Sequence, residues 1–430
     1  MFMISKVYNL FLQSNGVSTD TRDDLTNKIF FALKGPNFNG NKFAAKALEQ
    51  GAIAAVIDEP EYATSDKTFL VSDVLTFLQE LATHHRIQLN PKVIALTGSN
   101  GKTTTKELLF SVLKQNFSVQ CTKGNLNNHI GVPLTLLSCR AETEILIVEM
   151  GANHPKEIEL LASIAKPLHG LITNIGKAHL EGFGSIEGVD RSKRELFDFI
   201  NNQPEGFCFI NNNDPFLAKA KNNYQRIILY GAESNYKFSP IENENPMLTG
   251  ALNIDGQKIE VETQLIGEYN SDNVLAAATI GAYLGMDLRT IKKGLESYQP
   301  ENSRSQLAQG KRNKLFLDAY NANPTSVSHA IRSFAKFKGE KLAIIGAMKE
   351  GGENSSKEHE EIADLLSSLE IPHFLIGAEF NGISNPKTLG YYPTWKALVE
   401  GENNLNDFSG KNILIKGSRS VGLENLVPHL

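Results

Sequence analysis

Residues 93–110, VIALTGSNGKTTTKELLF, restrict this chain more than any other stretch. Four apolar residues, Val93 to Leu96, lead into a loop of small residues, a lysine and three threonines. A short apolar run bounded by turn residues reads as a buried strand. Leu108, Leu109, Val112 and Leu113 then follow at helical spacing, which puts an apolar face on a helix. A strand, a glycine turn and an amphipathic helix in this order belong to a parallel sheet covered by helices. The loop is also an anion cradle. Glycine lets neighbouring backbone N–H groups point at one centre, and the helix start adds its positive end. Lys102 would bring a point charge to the terminal phosphates and Thr103 a hydroxyl for Mg²⁺. Thr97, Gly98, Ser99, Asn100, Gly101, Lys102, Thr103 and Thr104 are therefore the candidate ATP-binding loop. The usual phosphate loop has four residues between its first glycine and the Gly-Lys pair. Here only two separate Gly98 from Gly101.

The same pattern of apolar runs alternating with helical stretches recurs along the chain. Residues 93–96, 145–148, 171–173, 207–210 and 227–230 read as strands buried on both faces, and 271–284 as an Ala-rich helix. Upstream, 29–33 and 53–57 read as strands around a helix at 43–50, with a turn-rich loop at 34–41. Downstream, a polar stretch at 298–303 reads as a linker. Runs at 315–317, 342–345, 374–376 and 413–415 then suggest a second open sheet. The expectation is an α/β protein of three domains: a small α/β unit at 1–90, a central P-loop ATPase-like parallel or mixed sheet at 91–300, and a Rossmann-like unit at 301–430.

With 430 residues the chain has room for several such domains. Its net charge of −5 supplies no global field for nucleic acid or an anionic membrane. Cys121, Cys139 and Cys208 form neither a CxxC pair nor an even disulfide set, which suits a reducing cytosol. The first residues lack the apolar core of a secretory signal, and no run reaches a membrane span of about 20 apolar residues. A cytoplasmic location is expected, with neither membrane insertion nor nucleic acid as a partner.

A magnesium site needs more hard oxygen ligands than one threonine. Glu149 ends the apolar run at 145–148, and a carboxylate there faces the ligand crevice of a parallel sheet. The same residue could simply cap a helix. His179 also follows an apolar run, with a structural histidine as the competing reading. Three function classes use such a loop: an amide-forming ligase, a small-molecule kinase and a non-catalytic nucleotide-binding module.

Seven segments together resemble the Mur ligase family of peptidoglycan synthesis. They are TGSNGKTTTKE at 97–107, TKGNLNNHIGVPLTLL at 122–137, EMGANHPKEI at 149–158, NIGKAHLEGFGSIEGVDRSKRELF at 174–197, DAYNANPTSV at 318–327, GAMKEGGENSSKEHEEIA at 346–363 and ILIKGSRSVGLE at 413–424. The shortened loop is the form that family and the folylpolyglutamate synthetases share. EMGANHP and YNANP resemble the member that adds D-alanyl-D-alanine to UDP-N-acetylmuramoyl-tripeptide; an earlier Mur step or a folylpolyglutamate-type ligase is the alternative. The resemblance implies an acyl phosphate made with ATP and Mg²⁺. It implies catalytic roles for Lys102, Glu149, His179 and Lys193. Thr103, Glu149, His179 and a carbamylated Lys193 would hold metal. Asn270 and Asn273 would lie near the adenine, and Arg304 and Asp318 would reach ATP from the C-terminal domain. Thr21, Arg22, Asn39 and Asn41 would meet the UDP-sugar. Tyr320, Asn321 and Asn323 would line the cleft, or NANP would be a tight turn. Lys416, Ser418 and Arg419 would face substrate carboxylates. The protein is expected to be a monomer. Three positions depart from the family pattern: Tyr269 in place of His, Ala347 in place of Asp, and Arg194 in place of a small residue.

Overall fold

The computed structural model describes residues 2–242, 246–301, 303–349, 354–401 and 405–430. Residues 350–353 of the segment at 346–363, and Asn302 of the linker, lie outside them.

The central sheet has six parallel strands in the order Ile227–Tyr230, Phe207–Asn211, His169–Ile172, Lys92–Thr97, Ile145–Glu149, Val119–Cys121. Strand residues alternate between two cores. Val93, Ala95, Leu146 and Val148 face one, while Ile94, Leu96, Ile145 and Ile147 face the other. The first is covered by the helices Gly131–Leu137, Glu157–Ala165 and Ile186–Asn201, and the second by Lys102–Leu113, Ser271–Tyr283 and Leu288–Ser297. Helices on both faces explain why these strands read as unbroken apolar runs rather than alternating ones. The run at 171–173 starts two residues late and ends one late; the strand is His169–Ile172.

The central edge strand Val119–Cys121 has no counterpart in the sequence reading, and neither does one whole sheet. Tyr236–Pro240, Met247–Ile254 and Gln257–Ile266 form a separate antiparallel sheet. Its second turn is Asp255-Gly256, with φ of 50° and 85°, the left-handed pair that a two-residue hairpin demands.

The N-terminal sheet is parallel, in the order Val17–Ser18, Ile29–Phe31, Ala54–Ile57, Thr68–Leu70. The helix Val74–Leu89 follows, capped by the Asp73 side chain and ended by left-handed Asn90. Its Leu78 and Leu81 share one core with Phe31 and Val56 on one side and Leu136 and Leu161 on the other. This helix thus fastens the first sheet to the second.

The C-terminal sheet runs Gln306–Gln309, Lys314–Asp318, Asn412–Lys416, Lys341–Gly346, His373–Ile376, Thr388–Tyr392. Only its first, edge strand is antiparallel. The four inner strands are the four apolar runs; the two edges lack continuous apolar runs and escape detection. No described helix is long and apolar enough to cross a membrane.

Candidate active site

The C-terminal ends of strands in the central and C-terminal sheets open into one cavity of about 830 Å³. Glu149 comes from the end of one central strand and Asp214 from just beyond another, whereas Asp318 and Lys416 end adjacent strands of the C-terminal sheet. Ligand crevices of open α/β sheets lie at this end of the strands.

The phosphate loop forms part of the lining through Ser99, Asn100, Gly101, Lys102, Thr103 and Thr104. It is pinned from below. The Asn100 N–H donates to Asn174 Oδ1 at 3.0 Å, Thr173 Oγ1 donates to the Asn100 carbonyl at 2.6 Å, and Ser99 Oγ and the Gly176 backbone bond each other. Gly98 packs so closely on Thr173 that a Cβ would fall 2.0 Å from its Oγ1. Gly101 has φ +77°, and its Cβ would meet Asn273 Oδ1 at 2.5 Å. The glycine spacing is therefore fixed by what lies beneath the loop as well as by what it would hold. Lys102 Nζ donates to the Gly98 carbonyl at 2.7 Å. Thr97 and Gly98 themselves do not line the cavity.

Glu149 is 2% exposed. Its Oε1 accepts from Asn127 Nδ2 at 2.8 Å and from Thr103 Oγ1 at 3.3 Å. Its Oε2 is buried without a hydrogen-bond partner. Burying a carboxylate oxygen unpaired is costly unless a cation meets it, so the donor set fits a hard metal ion beside Thr103. His179 lines the same cavity from a left-handed position, φ 51°, at the start of a short helix. Burial, with Lys102 and Lys193 adding repulsion, pushes its imidazole down to about 4. It is neutral at pH 7, the form that ligates metals. Lys193 is 1% exposed on the helix Ile186–Asn201. Its Nζ donates to the carbonyl of cavity-lining Ala152 at 3.1 Å and sits 5.0 Å over the Phe183 ring. Arg194 turns away to Asp190 at 2.8 Å.

Two family models match the chain: the Mur ligase middle domain over residues 96–281, and the Mur ligase glutamate ligase domain over 303–419. A UDP-N-acetylmuramoyl-tripeptide–D-alanyl-D-alanine ligase of Haemophilus influenzae is 33% identical, covering 97% of this chain and 93% of its own length. The chain belongs to the Mur ligase family. The solved structure of MurF from Acinetobacter baumannii superposes with a TM-score of 0.88 at 30% identity, covering 97% of each chain. That of MurF from Thermotoga maritima in complex with ADP gives 0.87 at 28% identity, again covering 97% of each.

The remaining sequence candidates of this Mur ligase divide into those at the cavity and those away from it. Asn270, Asn273, Arg304, Asp318, Asn321 and Lys416 line the cavity. The Arg304 guanidinium stacks on the Tyr320 ring, 3.5 Å from its centre. Lys416, 2% exposed, is engaged by Asp318 Oδ2 at 2.9 Å and by the Asn321 carbonyl at 2.6 Å. Asn323 caps the helix Pro324–Ala335 and also donates to Asn100 Oδ1 at 2.7 Å, so the C-terminal domain touches the phosphate loop directly. Arg419 lies outside the lining, against the Tyr320 hydroxyl at 3.3 Å. Thr21, Arg22, Asn39 and Asn41 are not at the cavity. Arg22 is held by Asp20, while fully buried Asn41 ties its loop to Asp58 at 2.8 Å. Ala347, in the Gly-Ala-Met departure, is fully buried and packs where a Cβ on Gly377 would fall 2.6 Å away.

Sequence reasoning missed several residues that build the site. Asn127 orients Glu149, and Thr122 Oγ1 accepts the Glu149 N–H at 3.0 Å. Asp214 accepts the Ile175 N–H at 2.8 Å, and burial raises its carboxyl. The asparagines at 125, 127 and 128 just after an edge strand were the available signal for the first.

Proposed function

We propose that this Mur ligase uses ATP to join D-alanyl-D-alanine to UDP-N-acetylmuramoyl-tripeptide, giving the pentapeptide with ADP and phosphate. The observation that carries the reading is the single cavity in which the phosphate loop and Glu149 face Asp318 and Lys416 of the other sheet. A free carboxylate is a poor electrophile. Transfer of the γ-phosphoryl group to the tripeptide carboxylate gives an acyl phosphate; the dipeptide amine then attacks its carbonyl, and phosphate leaves with the C–O bond electrons. Two anions must approach in the first step, so catalysis rests on placed positive charge.

Lys102 would serve the γ-phosphoryl group, and the loop amides would serve the other phosphates. Thr103, Glu149 and neutral His179 would hold Mg²⁺, with Lys193 as a carbamate supplying a further oxygen. Bound there, the ion screens the charge of the two anions. Carbamylation joins the neutral lysine amine to CO₂ with loss of one proton, turning a buried cation into an anionic ligand. Arg304, stacked on Tyr320, would face the phosphates and Asp318 the ribose. Lys416 would hold Asp318 in place as well as meet a substrate carboxylate. Asn270 and Asn273 would border the adenine, although their bonds run chiefly to the protein. Thr21, Arg22 and Asn39 would hold the UDP end, with Asn41 shaping their loop. The enzyme is read as a cytoplasmic monomer.

The test is phosphate release measured with each acceptor alone and together. Release that needs UDP-N-acetylmuramoyl-tripeptide and D-alanyl-D-alanine together is the expected result. Turnover with a single amino acid would move the reading to an earlier Mur step or a folylpolyglutamate-type ligase. A stable phosphorylated product without a new amide would make it a kinase.

A further inference from the structure

Tyr269 stands where the family pattern has His, at the point where the central domain meets the C-terminal one. Its hydroxyl lies 2.9 Å from Ser305 Oγ. The same Ser305 oxygen accepts from Asn270 Nδ2 at 3.2 Å. From Asn270 a buried chain runs back to the phosphate loop: Asn273 Nδ2 donates to Asn270 Oδ1 at 2.9 Å, and Thr105 Oγ1 donates to Asn273 Oδ1 at 3.0 Å. Asn273 is also the side chain against which Gly101 packs. In the other direction the Ser305 N–H points to Asp318 Oδ1 at 3.4 Å, and Asp318 pairs with Lys416. One line of polar contacts therefore connects the loop that would hold phosphate to the acid–lysine pair of the second sheet.

The backbone at this crossing is unusual. Ser303 and Ser305 both have left-handed φ, 55° and 47°, a region that residues with a Cβ enter only when their surroundings hold them there. Arg304, between them, is thereby turned onto the Tyr320 ring. Burial raises the Tyr269 phenol, so it stays protonated and keeps its hydrogen for the bond.

We infer that Ser305 and Tyr269 are positioning residues that tie the start of the C-terminal domain to the phosphate loop and so hold Arg304 and Asp318 over the nucleotide. The inference rests on reading the cavity as a nucleotide site, but it needs no acceptor substrate. Tyr269→Phe removes one hydroxyl. Ser305→Gly removes the other while keeping a residue that accepts φ 47° without strain.

The experiment is titration calorimetry of the whole chain with ADP, paired with small-angle scattering with and without ADP and a thermal melt. Tyr269→Phe should weaken ADP binding about five- to tenfold, as expected for one buried hydrogen bond, and Ser305→Gly by more, because its oxygen also accepts from Asn270 Nδ2. The double variant should be no weaker than the poorer single, because both hydroxyls serve the same bond. Scattering should show a larger radius with ADP than the wild type has. Wild-type affinity in both single variants would overturn the inference. Additive losses would do so too, as would a lowered melting temperature with affinity and radius unchanged. If the wild type itself did not bind ADP, the nucleotide reading would fall first; failure of the ligase assay alone would leave this result standing.

Discussion

Replacing Gly101 with alanine should damage nucleotide binding from beneath the loop rather than from its open face. The new Cβ would stand 2.5 Å from Asn273 Oδ1 and 3.1 Å from its Cγ and Nδ2, at φ +77°. Holding an L-residue left-handed costs about 1–2 kcal/mol. Moving Asn273 aside breaks its bonds to Thr105 and Asn270, together worth about 2 kcal/mol. The sum is about 3–4 kcal/mol. If the loop relaxes to a new shape, nucleotide binding must restore the old one, and ADP affinity should fall by roughly 150- to 700-fold. If it does not relax, the same energy appears as lost stability. Calorimetry with ADP and denaturant melts on the same preparation divide the two. A second substitution makes the reasoning sharper. Asn273→Ala vacates the space the methyl needs, so Gly101→Ala should cost clearly less in that background than in the wild type. Equal cost in both backgrounds would refute the clash, and wild-type ADP affinity together with wild-type stability in Gly101→Ala would refute the packing argument altogether.

Glu149→Gln keeps the shape but loses the charge that would meet Mg²⁺; phosphate release should drop on the order of 100-fold or more, with the melting temperature little changed and Mg²⁺ binding weakened in titration. Lys193→Ala should lose most activity without rescue by bicarbonate, whereas CO₂-depleted wild type should slow and recover when bicarbonate is added; indifference to both removes the carbamate from the mechanism. Burial lowers His169 to about 4, and its Nδ1 accepts the Phe207 N–H. The unfolded chain therefore binds the proton more tightly between pH 6.5 and 4. This contribution is complete above pH 6.5 and is lost as pH falls towards 4, about 2 kcal/mol of it by pH 5. Urea melts of wild type and His169→Phe at pH 7 and 5 should differ in slope with pH by that amount, and parallel behaviour would argue against it.

The parts of the fold that were legible in sequence are those whose burial is uniform along the strand. Strands such as Ile145–Glu149 are covered on both faces, so every residue is apolar and the run stands out. Gln257–Ile266 instead alternates, with Val261, Thr263 and Leu265 buried between exposed Glu260 and Glu262 and half-buried Gln264, so it forms no continuous apolar run. The hairpin was nevertheless written in Asp255-Gly256. Edge strands of the C-terminal sheet also lack a continuous apolar run, with intermediate burial over residues 306–308 and an exposed Gln309 in the first of them.

The site divides along a different line. Lys102, Thr103 and Glu149 were legible because strand ends of one parallel sheet face one crevice whatever the sequence distance between them. What remained hidden were bonds between domains. Nothing local to Asn323 announces that Asn100 lies 2.7 Å away, and nothing in Tyr269 announces Ser305. The same distinction separates what each residue can do. A residue legible at a strand end is placed by its own sheet and can act on ligand as soon as the domain folds. A residue hidden in a cross-domain bond is placed only when two sheets are docked. Arg304 and Asp318 are held within their own domain, by Tyr320 and Lys416, but they line the shared cavity with the phosphate loop only when the two sheets are docked, so the contribution proposed for them should depend on docking in a way that the one proposed for Lys102 does not.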